Sequence, residues 1–104
     1  MAKVDYSPSA QQDLEQIGDY INQELCSPAP ALNTVNKIQD SIDNLSEFPL
    51  IGAHLSSIVD VDTDYRFIVC GNYLAFYRTD EVTVYIDRII YGKRDYMTIL
   101  FPNN

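Results

Sequence analysis

"DYRFIVCGNYLAFYRTDEVTVYIDRIIY", residues 64–91, is dense in Val, Ile, Phe and Tyr and is broken twice by turn residues. β-Branched and aromatic side chains suit the pleated, half-buried surface of a strand. Gly71-Asn72 fits a two-residue hairpin turn, and Thr79-Asp80-Glu81 fits the next one. The stretch predicts three consecutive antiparallel strands, about 64–70, 73–78 and 82–91. With Gly71-Asn72 as the turn, Cys70 faces Tyr73, Ile68 faces Ala75 and Arg66 faces Tyr77. Side chains alternate across a strand, so Tyr65, Phe67 and Val69 share the opposite face with Leu74, Phe76 and Arg78. A turn at Asp80-Glu81 adds Tyr85 and Asp87 to that second face. The first face is aliphatic (Ile68, Ala75, Val84, Ile86) and the second is aromatic, so each needs its own cover.

The cover for the aliphatic face lies upstream. "AKVDY" reads as a short strand, and "SPSA" as a helix start with Ser7 at the N-cap and Pro8 at the first helical position. Ala10, Leu14, Ile17, Ile21 and Leu25 follow at helical spacing, with Asp13, Glu15, Asp19 and Glu24 off that stripe. "CSPAPA" interrupts the pattern, and a second helix begins near Pro28 or Pro30. Its stripe is Val35, Ile38, Ile42 and Leu45, and Pro49 and Gly52 stop it. Two amphipathic helices joined by a short break form an antiparallel hairpin that must lay its apolar stripe on a sheet. The predicted fold is α+β, in the order β-α-α-β-β-β, with an antiparallel sheet packed on a two-helix hairpin.

The 104 residues show no composition break, which predicts a single domain over 1–104. A chain of this size buries roughly two-thirds of its unfolded surface, enough for a core without disulfides or metal. No apolar run reaches the ~18–20 residues of a membrane span, and the N-terminus lacks a signal-peptide pattern, so a cytoplasmic location is expected. There, Cys26 and Cys70 are expected as free thiols. The net charge of −8 argues against general nucleic-acid affinity. That charge is uneven. Before Tyr65 the basic residues are Lys3 and Lys37 against eleven acids; from Tyr65 onward Arg66, Arg78, Arg88, Lys93 and Arg94 face Asp80, Glu81, Asp87 and Asp95. Any anion-seeking surface belongs to the C-terminal part.

The usual chemical constellations are missing. There is no Gly-rich phosphate loop, and His54 is the single histidine, which disfavours His-based zinc sites and Ser-His-Asp triads. Asp60, Asp62 and Asp64 alternate as in a calcium loop but lack its glycine and its distal bidentate glutamate, so they read as a solvated acidic loop. No metal and no cofactor are expected. Lys93 and Arg94, just past the last strand, are the remaining candidates for function.

In its whole arrangement the chain resembles the RelE/ParE toxin superfamily of bacterial type II toxin–antitoxin systems. The resemblance rests on "YSPSAQQDLEQIGDYI", "LSEFPLIGAHL", "DYRFIVCGNYLAFYR" and "VTVYIDRIIYGKRDY". It implies the β-α-α-β-β-β fold and a cognate antitoxin that wraps and neutralises the toxin, with a homodimer or a toxin–antitoxin hetero-oligomer as possible assemblies. The superfamily has two activities: RelE-like members cut mRNA on the ribosome, and ParE-like members poison DNA gyrase without covalent chemistry. Arg94 matches an arginine that RelE-like proteins keep after the final strand. Their companion arginine falls here at Leu74, two lysines fall at Tyr65 and Phe67, and a C-terminal tyrosine falls near Leu100. Cleaving RNA needs a proton acceptor, a donor and cations around the charged phosphorane, so the ParE-like branch is favoured.

The resemblance thus gives Lys93, Arg94 and Tyr96 as target-binding residues, with DNA gyrase the expected target. In the alternative reading, a RelE-like ribonuclease acting on ribosome-bound mRNA, Arg94 and Tyr96 are catalytic. Tyr65, Phe67, Leu74, Phe76 and Tyr85 form an apolar face too large to stay exposed. They are expected to bind a partner, and the cover is either an antitoxin segment or the chain's own "DYMTILF" tail.

Overall fold

In the computed structural model, which describes residues 1–26, 28–80 and 82–102, the chain begins with a short strand β1 (Lys3–Tyr6) and turns at once into helix α1 (Pro8–Leu25). Ser7 caps that helix as its position requires: its hydroxyl oxygen accepts from the Ala10 N–H at 2.9 Å, and Pro8 occupies the first turn, where no N–H is needed. Cys26 ends the helix in a left-handed conformation. Helix α2 (Pro28–Asp43) follows and closes into a 3₁₀ turn, Asn44–Ser46. The sheet strands are β2 (Ala53–His54), β3 (Arg66–Cys70), β4 (Tyr73–Thr79) and β5 (Thr83–Tyr91), and a short helix α3 (Tyr96–Leu100) follows them.

The sheet order is β1-β5-β4-β3-β2. Strands β2 to β5 pair antiparallel, whereas β1 runs parallel to β5, so the sheet is mixed rather than purely antiparallel. The β3–β4 register is the one expected, with Ile68 opposite Ala75 and Arg66 opposite Tyr77, and Gly71 supplies the positive φ of the turn. The β4–β5 connection is longer than expected. Thr79 pairs with Val84, and the Asp80 carboxylate accepts from the N–H groups of Val82 and Thr83 at 2.8 Å each; Glu81, expected in this turn, lies outside the described residues. A shift of two residues preserves side-chain parity, so Tyr85 keeps its expected face beside Arg78.

A bulge between Phe76 and Tyr77 then resets the parity: Tyr77 pairs with Ile86, Phe76 with Arg88, and Asp87 is the extra residue. It sends Ile89 to the helix side and Ile90 to the other side. The bulge also fastens the β1–α1 turn, because Ser7 donates its N–H to the Ile86 carbonyl at 2.9 Å and its hydroxyl to the Asp87 carbonyl at 2.7 Å.

The helix hairpin covers one face. Ala10, Leu14 and Ile17 from α1 and Ile38 and Ile42 from α2 are buried against Ala75, Tyr77, Val84, Ile86 and Ile89. Tyr77 lies fully inside this core, with its hydroxyl donating to the Pro49 carbonyl at 2.8 Å and accepting from the Gly52 N–H at 2.9 Å. Arg66 pins the same loop by donating to the carbonyls of Leu50 and Gly52, and its guanidinium also lies 3.1 Å from His54 Nε2. The loop thereby meets the sheet through hydrogen bonds, leaving Phe48, Leu50 and Ile51 exposed.

Candidate functional site

The aromatic face is closed by the chain itself. Leu55, Phe76 and Ile90 are buried there, with Tyr65, Phe67 and Leu74 packed around them. Tyr96, Ile99, Leu100 and Phe101 of the tail complete the cover. Tyr96 lies on Phe76 with ring centroids 5.2 Å apart, and Phe101 meets Tyr65 edge-on at 5.9 Å. Asp95 starts this last helix: its carboxylate accepts from the Thr98 hydroxyl at 2.7 Å and the Thr98 N–H at 3.3 Å, which together hold it below the usual carboxylate range. Of the five residues expected to meet a partner, Phe76 is therefore fully covered, and Tyr65, Phe67 and Leu74 are half-buried under the tail. Tyr85 stands apart, 43% exposed, donating to Asp80 at 3.2 Å. The five do not form one open surface.

Beside the tail runs a polar strip. Arg78 donates two hydrogen bonds to Asp87, at 2.9 and 3.2 Å, and its guanidinium sits 5.1 Å over the Tyr65 ring. Burial, aided by the Asp87 carboxylate, pushes the Tyr65 phenol up to about 12. At the edge where β5 runs beyond its pairing with β1, Asp13 of α1 takes a forked pair of hydrogen bonds from Arg88, at 2.8 and 2.9 Å. It also accepts from the Ile89 N–H at 2.9 Å. Arg78 and Arg88, together with Lys3 at 3.5 Å from Asp5 and Arg66 held by the Leu50 and Gly52 carbonyls, have structural partners. Among the described residues, Lys37, Lys93 and Arg94 have no carboxylate within 4 Å.

Two of those free cations line a groove of about 1150 Å³, where the tip of the helix hairpin stands off the sheet. The groove exists because α1 outruns its support. Eighteen residues extend ~27 Å, and while Ala10, Leu14 and Ile17 are buried, Ile21 is half-buried and Leu25 is 58% exposed. The unfinished stripe faces Ile38 of α2 and the β3–β4 turn at Cys70 and Tyr73. Tyr20, Tyr73 and Tyr91 gather at the mouth: Tyr73 and Tyr91 meet edge-on at 5.7 Å, and burial, then the two neighbouring phenols, raises the Tyr73 pKa.

Arg94 thus belongs to the hairpin side of the sheet and Tyr96 to the opposite side, packed on Phe76. The turn Tyr91–Arg94, closed by the Arg94 N–H donating to the Tyr91 carbonyl at 3.0 Å, sends them apart. The structure does not bring the two together around one reacting atom.

The sequence profile described as "ParE toxin of type II toxin-antitoxin system, parDE" matches residues 4–96, nearly the whole chain. The chain belongs to the ParE toxin family. Among solved structures it is similar to the chromosomal ParDE toxin–antitoxin system from P. aeruginosa, with 24% identity and a TM-score of 0.74, over 89% of this chain and 98% of that one. It is also similar to YafQ from E. coli strain BL21(DE3), at 12% identity and a TM-score of 0.48, over 97% of this chain and 99% of that one. No curated protein matches.

Tyr65, Phe67, Leu74 and Leu100 come together as one apolar cluster around Phe76. The groove itself was missed in the sequence, although one signal was present: the α1 stripe continues through Ile21 and Leu25, beyond what the sheet can cover. Cys26 and Cys70 are free thiols, and burial raises the Cys70 pKa, as suits a small apolar core group. Among the described residues, no cluster of His, Cys, Asp and Glu is placed to hold a metal ion, and no helix is long and apolar enough to cross a membrane.

Proposed function

We propose that this ParE-family toxin acts by binding its target, DNA gyrase, without covalent chemistry, and that a cognate antitoxin neutralises it. The observation that carries this reading is the fate of the aromatic face. RNA cleavage requires cations and proton-transfer groups converging on one phosphate. Tyr65, Phe67 and Leu74, at the positions that the resemblance gives to those groups, are apolar, the chain's own tail fills the space above them, and Arg94 and Tyr96 diverge to opposite faces. The exposed turn carrying Lys93 and Arg94 is the part of the molecule best placed to meet an acidic surface on a target protein.

The test is induction of the toxin in cells, following supercoiling, DNA-damage signalling and translation together. Loss of supercoiling and damage signalling ahead of any translational arrest, with mRNA intact, is the expected result. Early translational arrest with cleavage of ribosome-bound mRNA would overturn the reading in favour of the RelE-like ribonuclease alternative.

A further inference from the structure

We propose that Tyr96 is a positioning residue for target binding: its ring, seated on Phe76, fastens the Lys93-Arg94 turn to the sheet and fixes the direction in which Arg94 leaves the molecule. The role deepens the reading of that turn as the part that meets DNA gyrase, and rests on it. A basic turn beyond the last strand is a place where chains ordinarily fray, and an arm that must be ordered on binding loses affinity to that ordering. Lys93, Arg94 and Asp95 are all exposed, yet the backbone around them is tied at both ends.

On the strand side, the Gly92 N–H donates to the Asn72 carbonyl at 2.8 Å, which clasps the turn to the β3–β4 hairpin. The approach is close, since an added Cβ at Gly92 would lie 3.3 Å from that carbonyl. The Arg94 N–H donates to the Tyr91 carbonyl at 3.0 Å, and the Arg94 carbonyl accepts from the Tyr96 N–H at 2.9 Å. Both backbone polar groups of Arg94 are therefore used. The second bond closes a three-residue turn at Asp95, whose φ of −77° and ψ of 77° are those of an inverse γ-turn. That turn carries the chain from the hairpin side of the sheet, where Arg94 lines the groove, to the other side, where Tyr96 meets Phe76.

On the tail side the anchor is apolar. Phe76 is fully buried, Tyr96 lies half-buried on it with ring centroids 5.2 Å apart, and Leu100 and Phe101 pack on the same cluster. Asp95 holds the start of α3 through the Thr98 hydroxyl and N–H. Between the Gly92 clasp and the Tyr96 ring, the side chains of Lys93 and Arg94 keep their freedom while their backbone is set in advance. Tyr96 makes its contacts with its ring and its N–H, on the face away from Arg94, so it acts through the placement of Arg94 rather than by touching the target.

The test is inhibition of supercoiling by purified DNA gyrase with the full-length chain, run as a double-mutant cycle between Tyr96 and Arg94. Tyr96→Ala and Arg94→Ala are each expected to raise the half-inhibitory concentration about tenfold or more. The double variant is expected to be about as weak as Arg94→Ala alone, because a residue that acts only by placing Arg94 then has nothing to place. Tyr96→Phe keeps the ring on Phe76 and is expected to restore inhibition to within about twofold of the parent. Amide hydrogen exchange at Arg94 is expected to quicken about tenfold in Tyr96→Ala while the amides of β4 keep their protection. If Tyr96→Ala does not fold, Thr98→Val, which takes an exposed hydroxyl from Asp95, carries the same cycle, with a loss of about threefold expected only where Arg94 is present. Full inhibition by Tyr96→Ala, unchanged exchange at Arg94, multiplied losses in the double variant, or a Tyr96→Phe chain as weak as Tyr96→Ala would each overturn the positioning role while the gyrase reading stands. A parent chain that leaves supercoiling untouched overturns that reading and the role of Tyr96 with it.

Discussion

Replacing Asp13 by alanine removes the group that ties α1 to the edge of β5. Asp13 is 8% exposed and accepts three hydrogen bonds, two from the Arg88 guanidinium and one from the Ile89 N–H. Without it, the Ile89 N–H is left buried and unpaired, at a cost of about 1–3 kcal/mol. Arg88 loses a forked, charge-assisted contact of about 1.5–3 kcal/mol. The Arg88 side chain retains 30% of its exposure, so water recovers part of that second loss. Breaking one side of a buried ion pair generally costs about 3–5 kcal/mol, and the low end, about 3 kcal/mol, is expected here. With a urea m-value of ~2 kcal/mol/M, the unfolding midpoint should fall by ~1.5 M. Asp13→Asn keeps an acceptor for Ile89 and should cost roughly half as much. Asp13→Leu/Arg88→Met removes both charges and should recover roughly half of the loss, the part owed to the uncompensated guanidinium, while the Ile89 N–H stays unpaired. A midpoint for Asp13→Ala within ~0.3 M of the parent would refute the reasoning, and so would a double variant no better than the single one.

Gly52→Ala should destabilise by more than ~2 kcal/mol, because an added Cβ would lie 2.5 Å from the Tyr77 hydroxyl and 2.8 Å from the Phe67 carbonyl, and neither can retreat; thermal unfolding checks this. Leu100→Asp puts a charge into the tail's contact with Phe76 and Ile90 and should raise binding of a hydrophobic dye at least several-fold, whereas an unchanged signal would mean the tail is not the cover. Burial is the first cause that pushes both Tyr6 and Tyr65 up to about 12, from the ordinary phenol value of 10.0. The folded state therefore holds these phenolic protons more tightly than the unfolded chain. Their contribution to stability is full below pH ~10 and is lost as pH rises toward about 12; the parent should lose stability over that window faster than Tyr6→Phe/Tyr65→Phe. Arg94→Ala, made in cells without antitoxin, should lower toxicity with unfolding unchanged, and full toxicity in that variant would show that Arg94 does not bind the target.

Much of the architecture was legible because it follows from local rules. Ser7-Pro8 can only start a helix in this context, Gly71-Asn72 fixes the β3–β4 register, and the spacing of Ala10, Leu14 and Ile17 names the face that must be buried. Side-chain parity even placed Tyr85 correctly through a turn two residues longer than expected. The candidate site was less legible. The free cations at residues 93 and 94 stood out by position, but the groove beside Arg94 combines Tyr20, Lys37, Tyr73 and Tyr91, which no local pattern connects.

The sequence by itself determined which segments fold and which faces are apolar, since both are properties of neighbours along the chain. Only the tertiary structure decided what those faces meet. The β5 bulge sends Ile89 and Ile90 to opposite sides, and the parallel pairing of β1 brings Asp13 to the edge where Arg88 waits. The tail folds back onto Phe76, closing the face that looked open, while the overhang of α1 opens one that looked closed. Each of these is a competition between distant segments for the same surface, settled by which burial removes the most apolar area from water, and that comparison exists only once the chain has folded.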